Sequence, residues 1–307
     1  MVSSPYAKRQ IVLTFKLGAA QVAGNVAGGI AGSNTGAASG FSQMTVSGLR
    51  TFVQVSQAMT PQPSQCQIRV FGLTLDQINT LTKTGSVFQV RNNQVAVQAG
   101  DDQSGLATIF NGIIYWAVPE FGEQPETSFL IKANPGGTIQ LKPTPAVSFP
   151  KSVAADVALK QILQPAGVTL EANGTMPTLA SPYFPGTVWQ QAMRALAAGD
   201  LFGYYDGVAQ KLAVWPKTGN RSTSPITISP ATGMIGYPEY MENQIRVRTL
   251  FDPSFQNATP GTQIQVQSQL TPASGKFVLN VVDYNLSSEA PGGPWEMVLT
   301  AAPTGTE

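Results

Sequence analysis

Histidine is absent from all 307 residues, and cysteine occurs once, as Cys66. Nucleophile–imidazole pairs, histidine-ligated zinc and imidazole proton relays are therefore excluded within this chain. A single cysteine permits neither an internal disulfide nor a thiolate metal cage. Charge is also scarce: Asp, Glu, Lys and Arg make up 11% of the chain, against roughly 25% in an ordinary soluble domain. The 18 basic and 17 acidic side chains leave a net +1. No positive excess exists to grip a polyanion through many phosphate contacts.

Long apolar runs are missing too. Leu17 to Leu49 carries no charge and is long enough to span a bilayer. Gln21, Asn25, Ser33, Asn34, Thr35 and a heavy glycine load keep it too polar for that, so stable membrane insertion is not expected. The opening MVSSPYAKRQIVLTFKL has its apolar run broken by Lys16. It reads as a polar tail entering a strand, not as a secretory leader.

What is present is 42% hydrophobic residues with 30 glycines and 23 prolines. That composition can form cores and cuts the chain into short elements. The length is about twice the ~150-residue prior for one domain, so two or three are expected. Low charge also suits a subunit whose surface is covered by neighbours, since protein–protein contacts deplete Lys, Glu and Asp.

Along the chain, RQIVLTFKL (9–17) alternates as a strand with one buried face. In the stretch that follows, Gly24, Gly28, Gly32, Gly36 and Gly40 recur every fourth residue. That is the small-residue spacing of closely packed helices. Five helical glycines would each cost about 1 kcal/mol relative to alanine, which favours a projecting Gly/Ala/Ser loop over 18–43. These glycines are candidate contacts to a neighbouring subunit. LRTFVQVSQA and CQIRVFGL read as strands, and Thr74 with Gln77 forms a capping box opening a short helix. VFQVRNNQVAVQAG reads as a hairpin around Asn92-Asn93, IFNGIIYWAVPEF as a strand pair turning at Asn-Gly, and TSFLIKA, PGG and TIQLKP close the region.

From 146 the pattern changes. Residues 152–167 form a helix opened by Ser152, with Val153, Val157 and Ile162 apolar and Pro165-Ala166-Gly167 as its stop. A short strand follows, then a second helix with the capping box Thr187–Gln190, then a hairpin at Asp206-Gly207. From 218 the chain is strand-rich again, through ITISP, QIRVRTLFDP, TQIQVQSQL, GKFVLNVVDYNLS and WEMVLTAAP. The expected fold is mainly β with an α+β insertion. Two β-barrel-like modules, 1–145 and 218–307, flank a small mixed module, 146–217.

Chemistry-bearing constellations are few. Asp101-Asp102 and Glu120, Glu123 and Glu126 are the densest acidic spots. They fall among turn residues and read as solvated groups more than as the paired carboxylates of a glycosidase. Lys151-Ser152 superficially suggests a nucleophile pair, but adjacent residues rarely face each other. Phosphate-binding and nucleophile-elbow glycine motifs are absent, and no catalytic, cofactor or metal residues are assigned. Cys66 reads as a small buried hydrophobe. Trp116, Trp189, Trp215 and Trp295 read as core residues rather than a sugar-stacking platform. Arg246 and Arg248 alternate outward on one strand, either as a wet face or as a contact to an acidic partner.

The segment ITISPATGMIGYPEYMENQIRVRTLFDPSFQNATPGTQIQVQSQL, with IRVFGLTLDQINTLTK, IFNGIIYWA and YYDG–KLAVWP before it, resembles the tail and baseplate hub proteins of bacteriophages, of the late-control D-like kind. The likeness runs in consistent order from about residue 9 to 300. It implies a structural virion protein without an active site, assembled in the host cytoplasm. It further implies a homotrimeric ring whose two barrels per subunit adapt a six-fold tail tube to a three-fold tip. Implied partners are tail tube and distal tail proteins, a tape measure protein and central spike or fibre proteins, with DNA passing through the channel without specific binding. A carbohydrate-binding β-protein of a virion or secreted system is the alternative, and an acid-based cell-wall hydrolase a third.

Overall fold

A computed structural model describes residues 7–18, 41–82, 93–122, 126–141, 143–221 and 224–303. Gly24 to Gly40, Asn92 and Glu123 lie outside the described residues. Up to residue 141 the elements are β1 (Arg9–Gly18), β2 (Phe41–Val46), β3 (Thr51–Ala58), β4 (Gln65–Phe71), helix α1 (Leu75–Leu81), β5 (Gln94–Asp101), β6 (Gly105–Glu120), β7 (Ser128–Asn134) and helix α2 (Gly137–Leu141). The middle of the chain holds β8 (Val147–Ser148), β9 (Val153–Ala154), α3 (Ala155–Leu163), β10 (Thr169–Ala172), β11 (Thr178–Leu179), β12 (Tyr183–Phe184), α4 (Val188–Ala198), β13 (Leu201–Asp206) and β14 (Lys211–Pro216). Then come β15 (Ile226–Ile228), β16 (Met234–Met241), β17 (Gln244–Leu250), β18 (Gln263–Val266), β19 (Gly275–Ser288) and β20 (Trp295–Pro303). The chain is mainly β, and among the described residues the longer helices lie in the middle.

Strands from both ends join in one large sheet of order β16-β17-β20-β19-β3-β4-β7-β6-β5-β1-β2. Its seam is the antiparallel pair β3–β19, eight residues in register from Val281↔Ala58 to Ser288↔Thr51. β19 divides its pairing: Gly275–Val278 bonds β18 and Val281–Ser288 bonds β3. Period-two alternation then gives each strand one dry and one wet face. Val53, Val55, Ile68, Val70, Ile131, Val282, Leu286 and Leu299 face a single buried cluster that runs under both halves of the sheet.

The middle segment has its own core, in which Ala155, Ala158, Leu159 and Ile162 of α3 meet Val188, Ala192, Ala195 and Leu196 of α4. Both expected capping boxes form, Thr74 with Gln77 and Thr187 with Gln190. The Asp206 turn also forms, its carboxylate accepting from the backbone N–H groups of Val208 and Ala209 at 2.8 and 3.1 Å.

Several local expectations are corrected. Asn111-Gly112 is not a turn but the middle of the continuous strand β6. A Cβ on Gly112 would lie 2.6 Å from both the Asn134 carbonyl oxygen and the Phe110 ring, so the glycine serves close strand approach. The turn occurs instead at Asp101, whose carboxylate accepts from the backbone N–H groups of Gln103 and Ser104 at 2.9 and 2.6 Å. Ser152 does not open α3; Ala154 is the N-cap and makes no side-chain bond. Val157 faces solvent, because the buried stripe runs through Ala155, Ala158, Leu159 and Ile162. Gly137–Leu141 is helical rather than extended, and Met234–Met241 adds a strand that turn residues obscured.

Candidate functional site

The wet face of the large sheet carries ordered rows of polar and charged side chains. One row crosses six strands in register: Glu296, Asn285, Gln54, Gln67, Lys132 and Trp116. A second runs Arg248, Val298, Asp283, Ser56 and Gln65. Beyond them Glu239 stands opposite Arg246. Two adjoining concavities of about 560 and 450 Å³ share Gln54, Gln67 and Asn285. The face is therefore a continuous polar hollow across eight strands, β16 to β6.

Charges on this face occur in opposite-sign neighbours. Arg248 Nη2 meets Glu296 Oε2 at 2.6 Å, and Arg69 Nε meets Glu120 Oε2 at 3.2 Å. At the rim Arg50 grips Glu126 through both guanidinium nitrogens, at 3.2 and 2.5 Å, and lies 3.9 Å from the Phe71 ring centroid. That contact holds the Glu126 carboxyl below its ordinary range. With Glu239 opposite Arg246, and Lys132 and Asp283 on the same hollow, the face carries five of the chain's 18 basic and five of its 17 acidic side chains. Cross-strand opposite charges of this kind stabilise weakly, by roughly 0.2–1 kcal/mol each. Their more important consequence is electrical neutrality.

Among the described residues, β16 pairs only β17, and β6 beyond Ile114 pairs only β7, while its first half continues the sheet into β5. Each open strand contains a proline, Pro238 or Pro119, as edge strands tolerate. Each also exposes large side chains: Tyr237, Tyr240 and Met241 on β16, Trp116 with neighbouring Tyr115 and Phe121 at β6.

The structure sorts the sequence candidates. Arg246 and Arg248 both lie on the hollow, Arg248 paired and Arg246 exposed opposite Glu239. Trp215 and Trp295 are core residues, and half-buried Trp189 packs edge-on against Tyr205 at 6.1 Å. Trp116 is corrected, being 50% exposed, because the irregularity between Ile114 and Trp116 turns it outward. Cys66 is buried as expected, and burial pushes its thiol well up. Asp101 serves its turn, and Asp102 accepts from the Lys8 backbone N–H at 2.9 Å. Lys151 and Ser152 are exposed. Among the described residues no group of three or more Cys, Asp or Glu is placed to hold a metal, and no helix is long and apolar enough to cross a membrane. Sequence reasoning missed Glu239, Asp283, Glu296 and Lys132. Their period-two placement was visible, but not the strands that bring them together.

Over residues 33–292 the sequence matches the family described as baseplate hub gp41. The chain belongs to the baseplate hub gp41 family. It is thus a structural component of a phage tail, and the tail hub resemblance read from the sequence stands. Comparison with curated proteins finds no match. Among solved structures, this hub protein is similar to the Escherichia coli c3393 protein, a type VI secretion component with structural similarity to the phage T4 tail proteins gp27 and gp5. There the TM-score is 0.57 at 12% identity, covering 84% of this chain and 74% of that one. A tail protein from Neisseria meningitidis MC58 gives 0.56 at 10% identity, covering 83% and 95%. The 43 kDa tail protein of prophage MuSo2 from Shewanella oneidensis gives 0.56 at 6%, covering 85% and 94%. At these identities the likeness is one of fold.

Proposed function

We propose that this hub protein forms a homotrimeric ring at the tail tip, with the polar hollow turned inward as the wall of the channel. The observation that carries the reading is the eight-strand stretch from β16 to β6, wet on one face, in which β16 and the latter part of β6 have no outer partner strand among the described residues. Head-to-tail association of β16 of one copy with the β6 edge of the next covers both open edges and closes a ring. Burying Tyr237, Tyr240, Met241 and Trp116 there removes exposed apolar surface, which contributes ~25 cal/mol per Å² before association costs.

In this reading the two strand-rich ends of the chain act as pseudo-equivalent barrel modules, 1–145 and 218–307. Three copies then present six similar units to a six-fold tail tube above and three-fold symmetry to a spike or fibre below. The tape measure protein and then the DNA pass through the channel, and tail tube and distal tail proteins are its neighbours. The Gly24–Gly40 stretch contacts an adjacent subunit, assembly takes place in the host cytoplasm, and the chain performs no catalysis of its own.

Size-exclusion chromatography with light scattering tests the proposal. A species of three times the subunit mass is expected, and electron microscopy of it should show a ring. A monomer at every accessible concentration, or a closed two-fold dimer, overturns it.

A further inference from the structure

Charge is scarce in the chain, and on the hollow the two signs are balanced. We infer that Glu239, Asp283 and Glu296 are counter-charges whose role is to cancel Arg246, Arg248 and Lys132, so that double-stranded DNA meets this face without being held. This rests on the reading of the face as a channel wall and deepens it by naming the residues that keep the wall from binding.

A concave wall lined by charge of one sign focuses its field and concentrates the opposite ion. Three uncompensated cations per subunit would do this to DNA. Two of the carboxylates adjoin Arg248 and Arg246, and the third, Asp283, shares the hollow with Lys132 and balances the face as a whole. Glu296 sits 2.6 Å from Arg248, and Glu239 is the cross-strand partner of Arg246. Asp283 lies two strands from Arg248 in the same row, between Val298 and Ser56. Lys132 is flanked in its row by Gln67 and Trp116, neutral side chains that add no further positive charge. The same hollow is also lined by the neutral Gln54, Gln65 and Gln67, so a polar wet face is built there without acids as well.

The test uses the full chain and a duplex DNA of random sequence as probe. Wild type should show no salt-sensitive binding. The triple variant Glu239→Gln, Asp283→Asn, Glu296→Gln should bind, and its affinity should fall about 40-fold between 50 and 200 mM salt if about three phosphates are contacted in all, and more steeply if every subunit of a ring engages. Adding Arg246→Gln and Arg248→Gln to that variant should abolish most of the gain. Circular dichroism checks folding; if the triple variant unfolds, Glu239→Gln alone, at an exposed position, carries the same test with a slope near one contact. Salt-sensitive DNA binding by wild type, or none by the folded acid-free variant, overturns the inference. Light scattering on the same samples reports the ring separately, so a monomer that still gains DNA binding counts against the channel reading and not against the charge cancellation.

Discussion

Glu171 and Arg221, fifty residues apart, meet through two parallel hydrogen bonds, Nε to Oε1 at 2.8 Å and Nη2 to Oε2 at 2.9 Å. Around them Asn173 Nδ2 and Lys211 Nζ also reach the carboxylate, at 3.1 and 3.3 Å, and Arg221 Nη1 donates to Thr259 Oγ1 at 2.5 Å. Glu171 belongs to β10 of the middle segment, whereas Arg221 and Thr259 belong to the C-terminal part of the chain. The knot fastens the mixed segment to the sheet. On the other side Thr60 exchanges two bonds with Gly203, donating its N–H to the carbonyl at 2.8 Å and accepting at Oγ1 at 3.0 Å.

Replacing Glu171 with Gln should destabilise the protein by about 1–3 kcal/mol, as loss of a charge-assisted bidentate pair does. The Arg221 bonds lower the Glu171 carboxyl from 4.5 to about 2. A depressed carboxylate contributes stability that is complete above its unfolded value and is lost as pH falls through the folded one. The difference in urea midpoint between wild type and Glu171→Gln should therefore be constant near neutrality and shrink below pH 4.5. A difference independent of pH down to acid unfolding would refute the assignment.

Gly112→Ala and Gly261→Ala should each cost about 1–3 kcal/mol by overpacking. The added methyl at 112 meets the Asn134 carbonyl and the Phe110 ring. At 261, where φ is +85°, it meets the Trp215 ring at 2.6 Å. Chemical denaturation reads both; neutral substitutions would mean that the strands separate more easily than their pairing indicates.

The tryptophans should divide sharply. Trp215, 1% exposed, should cost about 3–5 kcal/mol on truncation to alanine. Trp116→Ala should stay within about 0.5 kcal/mol for the isolated subunit, as an exposed site does. Its effect belongs to assembly, read as a raised concentration for ring formation.

Cys66 should resist thiol reagents until the chain unfolds, because it is buried and its thiol is pushed up. That makes added cysteines clean reporters. In the double variant Trp116→Cys, Tyr240→Cys, mild oxidation should join copies into dimers and trimers on a non-reducing gel, and nothing larger. Absence of cross-links in a sample that light scattering shows to be trimeric would place the subunit contact elsewhere.

Much of this architecture was legible locally. Both capping boxes and the Asp206 turn depend on side chains bonding backbone two or three residues away, so four or five letters suffice to read them. Asn111-Gly112 misled because the same dipeptide serves a tight turn and a close crossing, and only the neighbouring strand distinguishes them. Ser152 misled because a cap is defined by where the first helical carbonyl falls, and that is set two residues later, at Ala154.

By itself the sequence determined the alternation of strands and turns, the helical character of the middle segment and the exclusion of histidine chemistry. These follow from composition and from periods of two and 3.6 residues. Only the tertiary structure decided that β3 joins β19, and hence that Arg248, Glu296, Asp283 and Lys132 share one hollow. Pairing such as Val53↔Leu286 links residues more than two hundred positions apart. It is selected by burial of the whole dry face, a quantity that no local window of the chain contains.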